Sequence, residues 1–261
     1  MTNVLDSFRL DGKVALVTGG AGLYGRQIAE AVAEAGAKTF IASRGIEALE
    51  QQAEKFRAAG LDVTALQLDQ SKEDSVRSLL KQIVDSAGQV DILVNNAVAR
   101  TMVEGVPRYE AFAKSQEINA TGIVMMTEIF AQHMAERKTG SIINISSIYG
   151  MLGPDLALYK DTGMATPMPP DYWYNKGGMT QLTRFAAAMY GPAGVRVNTI
   201  SPGGFFSNQP ELFIERYNAK TFLGRMANEQ DLKGVIVFLA SDASGYITGV
   251  NIPVDAGLSA K

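Results

Sequence analysis

Apolar residues fall in short runs separated by longer amphipathic stretches. Val14–Val17, Thr39–Ala42, Val63–Leu68, Ile92–Val94, Ile142–Ile145, Val195–Ile200 and Ile252–Val254 show little polar alternation. Continuous Val/Ile/Leu runs of this kind suit strands covered on both faces, hence a parallel sheet. Between them, residues 24–35, 46–59, 72–87, 109–137, 172–190 and 229–239 read as helices. Strand–helix alternation predicts an α/β fold, a doubly wound parallel sheet of about seven strands with helices on both faces. No repeat or low-complexity linker interrupts it, so residues 1–261 are read as a single domain. One segment breaks the rhythm. Residues 151–171 carry Pro154, Gly163, Pro167, Pro169 and Pro170, too long and proline-rich for a plain connector. Loops of this length usually serve as lids or binding loops, so a wall of a substrate pocket is expected here.

Composition narrows the chemistry. At 46% hydrophobic over 261 residues the chain can bury a substantial core. A net charge of −3 without any basic run gives no reason to expect nucleic acid or an anionic membrane as partner. Cysteine is absent, which excludes disulfides and thiolate catalysis. His133 is the one histidine, so a His-based metal site or a His-dependent serine triad is not expected. No run of about 18 apolar residues suggests a membrane span. Residues 1–11, with Asp6, Arg9 and Asp11, do not read as a signal peptide, so the cytoplasm is the expected location.

The first strand runs into Thr18-Gly19-Gly20-Ala21-Gly22-Leu23-Tyr24-Gly25, and a helix follows. Gly20, Gly22 and Gly25 spell G-x-G-x-x-G in a strand–turn–helix setting. Glycines let the backbone approach a pyrophosphate, and the helix N-terminus offers it N–H groups and a positive dipole end. Gly19, Gly22, Leu23, Tyr24 and Gly25 are therefore candidate cofactor contacts, and the fold expected is Rossmann-type. At the end of the second strand stand Ser43 and Arg44, with no carboxylate before Glu47. An acidic residue there would favour NAD; Arg44 favours the extra phosphate of NADP. NADP(H) is thus expected ahead of NAD(H).

Tyr172 and Lys176 are four apart in helix-like sequence and share a face. A nearby ammonium favours the phenolate and draws a tyrosine toward the range that acid–base catalysis needs. Tyr174 points to another face.

With these residues in place, the chain resembles the short-chain dehydrogenase/reductase family over essentially its whole length. The glycine turn resembles that family's cofactor motif, and Asn95-Asn96-Ala97 its Asn-Asn-Ala-Gly motif. Asn119, Ser147, Tyr172 and Lys176 match its catalytic tetrad. Asp69 falls where the family meets adenine, and Asn96 lies in its cofactor motif. Pro202, Gly203 and Ser207 lie in the stretch resembling the nicotinamide loop. The resemblance implies that Tyr172 exchanges the alcohol proton and that Lys176 lowers its pKa and bonds the ribose. It implies that Ser147 donates to the substrate oxygen and that Asn119 holds a proton-relaying water. Asp69 reads equally as a helix cap.

There are departures. Leu23 replaces the middle glycine, Val98 the glycine after Asn95-Asn96-Ala97, and Ala256 a glycine of the C-terminal Asp-Gly-Gly run. Ser147 and Tyr172 lie 25 residues apart, roughly double the family's gap, so residues 151–171 read as an insertion beside the active site. The activity implied is NAD(P)(H)-dependent interconversion of a secondary alcohol and a ketone, on a sugar acid or other polar carbonyl compound. Alternatives are a 3-oxoacyl thioester reductase, a nucleotide-sugar epimerase or dehydratase, and a non-catalytic NADP-binding regulator. The epimerase branch needs a further C-terminal domain, and a regulator has no use for the tetrad. A homo-oligomer, tetramer or dimer, is implied by the resemblance.

Overall fold

The computed structural model describes residues 3–103, 105–106, 108–164 and 168–260. Seven strands form one sheet: β1 (Val14–Thr18), β2 (Lys38–Ser43), β3 (Val63–Gln67), β4 (Ile92–Asn95), β5 (Gly140–Ile145), β6 (Val195–Pro202) and β7 (Asn251–Val254). Their order is β3-β2-β1-β4-β5-β6-β7, and every pairing is parallel. The order reverses between β1 and β4, where open parallel sheets leave a crevice beyond their strand ends.

The strand residues alternate between two cores. Ala15, Val17 and Ile143 pack under α1 (Leu23–Glu34), α2 (Ile46–Ala58) and α8 (Lys233–Ala240). Leu16, Phe40 and Ile142 pack under α3 (Glu73–Ala87), α5 (Gly122–Glu136) and α6 (Pro170–Tyr190). Covering on both faces explains why the strands are apolar without alternation. The result is the doubly wound, Rossmann-type α/β fold.

Two helical expectations need correction, and one helix was not expected. The helix expected over residues 109–137 is broken into α4 (Arg108–Gln116), a π turn (Glu117–Thr121) and α5. In the turn the Gly122 N–H bonds Glu117 O, one residue further back than in an α-helix. The carbonyl so released, Ile118 O, accepts from Gln70 Nε2 at 2.9 Å. The expected helix 229–239 begins only at Lys233. Asp231 accepts from Asn228 N–H and Asn228 from Gln230 N–H, and such local side-chain bonds compete with the helix ladder. A helix not foreseen, α7 (Glu211–Lys220), follows Pro210. Its signal was there: proline before it, Glu211 in its first turn and Lys220 in its last.

Within the insertion, residues 155–160 are anchored by α7. Lys220 pairs with Asp155, and Arg216 donates to the carbonyls of Ala157 and Lys160. Leu158 packs with Phe213, Tyr217 and Met226 in a third, smaller core. Pro169 caps α6 and Pro170 opens it, a position that proline suits. Pro167 lies outside the described residues.

Candidate active site

A cavity of about 820 Å³ opens beyond the carboxyl ends of β1 to β6. One end is the glycine turn. Gly25 must be glycine: a Cβ there would lie 2.0 Å from Gly19 O, where α1 closes on the turn. Gly20 packs against Ile41 of β2, and the cavity is lined instead by Gly19, Gly22, Leu23, Tyr24 and Gly25. No side chain caps the N-terminus of α1, which leaves its positive end and first-turn N–H groups to an anion. Asn96 braces the turn, donating to Thr18 O and Gly19 O at 2.9 and 3.2 Å. Tyr24 donates to Gly203 O at 2.8 Å and so ties the turn to the loop after β6. Ser43, Arg44, Asp69, Asn96, Pro202, Gly203 and Ser207 also line the cavity. A phosphate-bearing dinucleotide fits this cradle in size and in donor chemistry.

Arg44 is exposed at the cavity's edge and, among the described residues, has no ion-pair partner. Asp69 accepts from both the N–H and the hydroxyl of Ser71, which pulls its carboxyl below the usual range. It therefore orders the approach to α3 while also lining the cavity.

At the other end, β5 and α6 bring Ser147, Tyr172 and Lys176 to one wall. Lys176 Nζ donates to Ile145 O at 2.6 Å, and Ser146 Oγ donates to Lys176 O at 2.8 Å, so α6 is pinned to the end of β5. Gly150 permits this approach, since a Cβ there would meet Lys176 O and Ser146 Oγ at 2.7 Å. Asn119 does not line the cavity. Its side chain clamps the loop after β4, accepting from Ala99 N–H at 2.8 Å and donating to Ala99 O at 2.7 Å.

The expectation that Lys176 lowers the Tyr172 pKa is not met in the protein alone. Burial raises the phenol's pKa, against a hydrogen bond from Ser147 and the positive charge of Arg100, both of which lower it. Lys176 Nζ lies 5.6 Å from the centre of the Tyr172 ring and is turned to the Ile145 carbonyl. Its own pKa is pulled down to about 8 by complete burial. Desolvation thus acts on both groups toward their neutral forms.

The remaining wall combines the 151–171 segment, which was expected to line the pocket, with two residues that sequence did not single out, Tyr149 and Phe213. Tyr149 stacks on Trp173 with ring centres 4.1 Å apart, and its hydroxyl meets that of Tyr159 at 2.6 Å. Met164 and Met168 of the insertion and Phe213 of α7 complete the wall. Position next to Ser147 could have singled out Tyr149; nothing local marked Phe213, because α7 itself was not foreseen. Tyr174 is exposed and touches Phe112, away from the cavity.

A family model described as enoyl-(acyl carrier protein) reductase matches residues 22–259. The chain belongs to the short-chain dehydrogenase/reductase family, and it is an oxidoreductase of that family. Among curated relatives, an uncharacterized oxidoreductase of Thermotoga maritima is 34% identical, with 97% of this chain and 98% of that protein covered. A 3-oxoacyl-acyl-carrier-protein reductase of Staphylococcus aureus is 29% identical, with 94% and 98% covered. Among solved structures, a gluconate 5-dehydrogenase of Burkholderia cenocepacia in complex with NADP and tartrate is 30% identical. It superposes with a TM-score of 0.84, covering 99% of this chain and 100% of that one. Reductases of this family use NAD(P) as cofactor. Among the described residues no group of metal-ligating side chains is found, and no helix is long and apolar enough to cross a membrane.

Proposed function

We propose that the chain is an NADP(H)-preferring reductase or dehydrogenase that interconverts a secondary alcohol and a ketone. Residues 1–261 act as one dinucleotide-binding and catalytic unit, with residues 151–171 as an inserted wall of the substrate site. The observation that carries this reading is convergence: Ser147, Tyr172 and Lys176 line the same cavity as the glycine turn and Arg44. When bound, the nicotinamide accepts or gives the hydride. In the oxidative direction Tyr172, as phenolate, takes the alcohol's proton as the carbonyl forms and becomes the phenol; in reduction the phenol gives that proton to the carbonyl oxygen and is left as phenolate. Ser147 donates a hydrogen bond to the same substrate oxygen and steadies its charge. Lys176, anchored on Ile145 O, would bond the cofactor ribose, and Asn119 would hold a relaying water beside the Ala99 loop.

Arg44 supports NADP(H) over NAD(H), because among the described residues it forms no ion pair that a 2′-phosphate would have to displace. The gluconate 5-dehydrogenase likeness favours a sugar acid or similar polar carbonyl substrate. A second reading, a 3-oxoacyl thioester, is favoured by the wall of Tyr149, Met164, Met168 and Phe213, which suits an acyl chain. The exposed Tyr174, Phe185 and Met189 of α6 support a homo-oligomer.

The test is NADPH oxidation with 5-oxogluconate and with acetoacetyl-N-acetylcysteamine, alongside fluorescence titration of NADPH and NADH. Tyr172→Phe should lower turnover by about 10²–10⁴-fold and leave cofactor affinity unchanged. Arg44→Ala should weaken NADPH by about 10-fold or more and leave NADH untouched. Full turnover in Tyr172→Phe rejects the catalytic assignment, and tighter binding of NADH than of NADPH rejects the cofactor preference.

A further inference from the structure

Behind the cavity wall lies a buried polar knot that hydride transfer does not itself require. Ser115, near the end of α4, is 0% exposed, and its neighbours Asp171, Asn119 and Asn175 are 3%, 6% and 8% exposed. Ser115 Oγ donates to Asp171 Oδ2 at 2.5 Å. It accepts from Asn119 Nδ2 at 3.0 Å and from Asn175 Nδ2 at 3.2 Å. A serine hydroxyl has one proton and two lone pairs, so these three bonds use its whole capacity. Asp171 Oδ1 and Asn175 Oδ1 have no partner among the described residues. Among the described residues, Ser115 is therefore the one side chain that hydrogen-bonds the buried Asp171 carboxyl.

The places of the three partners matter more than their number. Asp171 directly precedes Tyr172, Asn175 directly precedes Lys176, and Asn119 is the residue that clamps Ala99. One residue along an α-helix is a turn of about 100°. Asp171 and Asn175 thus form a stripe about 100° round α6 from the stripe of Tyr172 and Lys176. The Tyr172/Lys176 stripe is pinned to β5 through Ile145 and Ser146. The Asp171/Asn175 stripe is pinned to α4 through Ser115. Two pins on adjacent faces stop α6 from rolling about its axis, which one pin alone permits.

We propose that Ser115 is a positioning residue for the reaction. Its hydroxyl sets the register between the π turn that carries Asn119 and the helix that carries Tyr172 and Lys176. The proposal rests on the tetrad reading given above. Removing the Ser115 hydroxyl leaves the buried Asp171 carboxyl without its hydrogen bond, so a loss of stability is expected as well, and the test reads it separately from positioning.

The test compares the parent with Ser115→Ala and with Ser115→Cys, which keeps the side-chain shape with a somewhat larger atom but donates only weakly. NADPH binding is read by fluorescence. The kcat, the KM and the pH profile of kcat are read with 5-oxogluconate or acetoacetyl-N-acetylcysteamine, whichever the parent reduces faster. Assays run well below each variant's Tm. The expected result is a fall in kcat of about tenfold or more, NADPH Kd within about twofold, and a displaced pH profile. A lower Tm with kcat and pH profile unchanged makes Ser115 structural only and overturns the proposal. So does failure of both variants to fold. If instead Tyr172→Phe keeps full turnover, the tetrad reading itself is wrong and this proposal goes with it.

Discussion

Lys176 shows at the scale of one residue how burial sets chemistry. Its ammonium sits at the end of β5 with its pKa drawn down to about 8 from the ordinary 10.5 by desolvation. Between these two values the unfolded chain binds more protons than the folded one, so stability from this group rises with pH. Below pH 8 the full cost of burying the charge is felt. Lys176→Met should therefore gain in Tm relative to the parent at pH 7, and the gain should shrink by pH 10. Thermal unfolding at the two pH values checks this; a gain that does not vary with pH would show that the amine is not held at a depressed pKa. The same desolvation raises the Tyr172 phenol, so in the protein alone the pair is not yet poised for proton exchange near neutrality.

At the scale of elements, the site depends on how closely α6 approaches the loop after β5. That approach rests on Gly150, which leaves room for the Ser146–Lys176 hydrogen bond. Gly150→Ala places a methyl group against backbone that cannot yield without moving α6. The expected cost is about 1–3 kcal/mol, as for other overpacked sites. Because α6 carries both Tyr172 and Lys176, turnover should fall with it. Denaturant unfolding and kcat measured together decide this: an unchanged kcat would mean that α6 keeps its place without the Ser146 bond. The π turn belongs to this scale as well. Helical periodicity over residues 109–137 predicts one continuous helix, and it is right about which residues are helical. The interruption comes from Gln70, a residue far away in the chain, which takes the carbonyl that the turn releases.

At the scale of the molecule, the insertion and α7 act together. Tyr159, Met164 and Met168 reach the cavity from one, Phe213 and Tyr217 from the other, and Arg216 and Lys220 bind the two into one wall. Replacing residues 152–167 by a short turn should leave NADPH affinity intact, since the glycine turn and Arg44 lie at the opposite end. The order of preference between 5-oxogluconate and the acetoacetyl thioester should change. Retention of both rate and preference in the shortened protein would show that the wall does not select substrate.

Much of this was written locally. Strand runs are legible because a strand buried on both faces must be apolar at every position, whatever its neighbours are. The glycine turn is legible because a backbone that closes on itself as tightly as Gly19 and Gly25 do excludes any side chain. Tyr172 could be preferred over Tyr159 by its spacing to Lys176, a matter of helix geometry alone. Tertiary structure decided the rest. That Asn119 clamps Ala99, that Ser115 gathers Asn119, Asp171 and Asn175, and that Tyr149 meets Tyr159 all depend on segments brought together by the sheet order. The direction of the Tyr172 pKa shift depends on how much water the fold removes, a quantity summed over residues from every part of the chain. Sequence determined the elements and the kind of chemistry, because those follow from short-range spacing. Only the packed structure decided the environment of each reacting group, because desolvation and hydrogen-bond capacity are properties of neighbours in space.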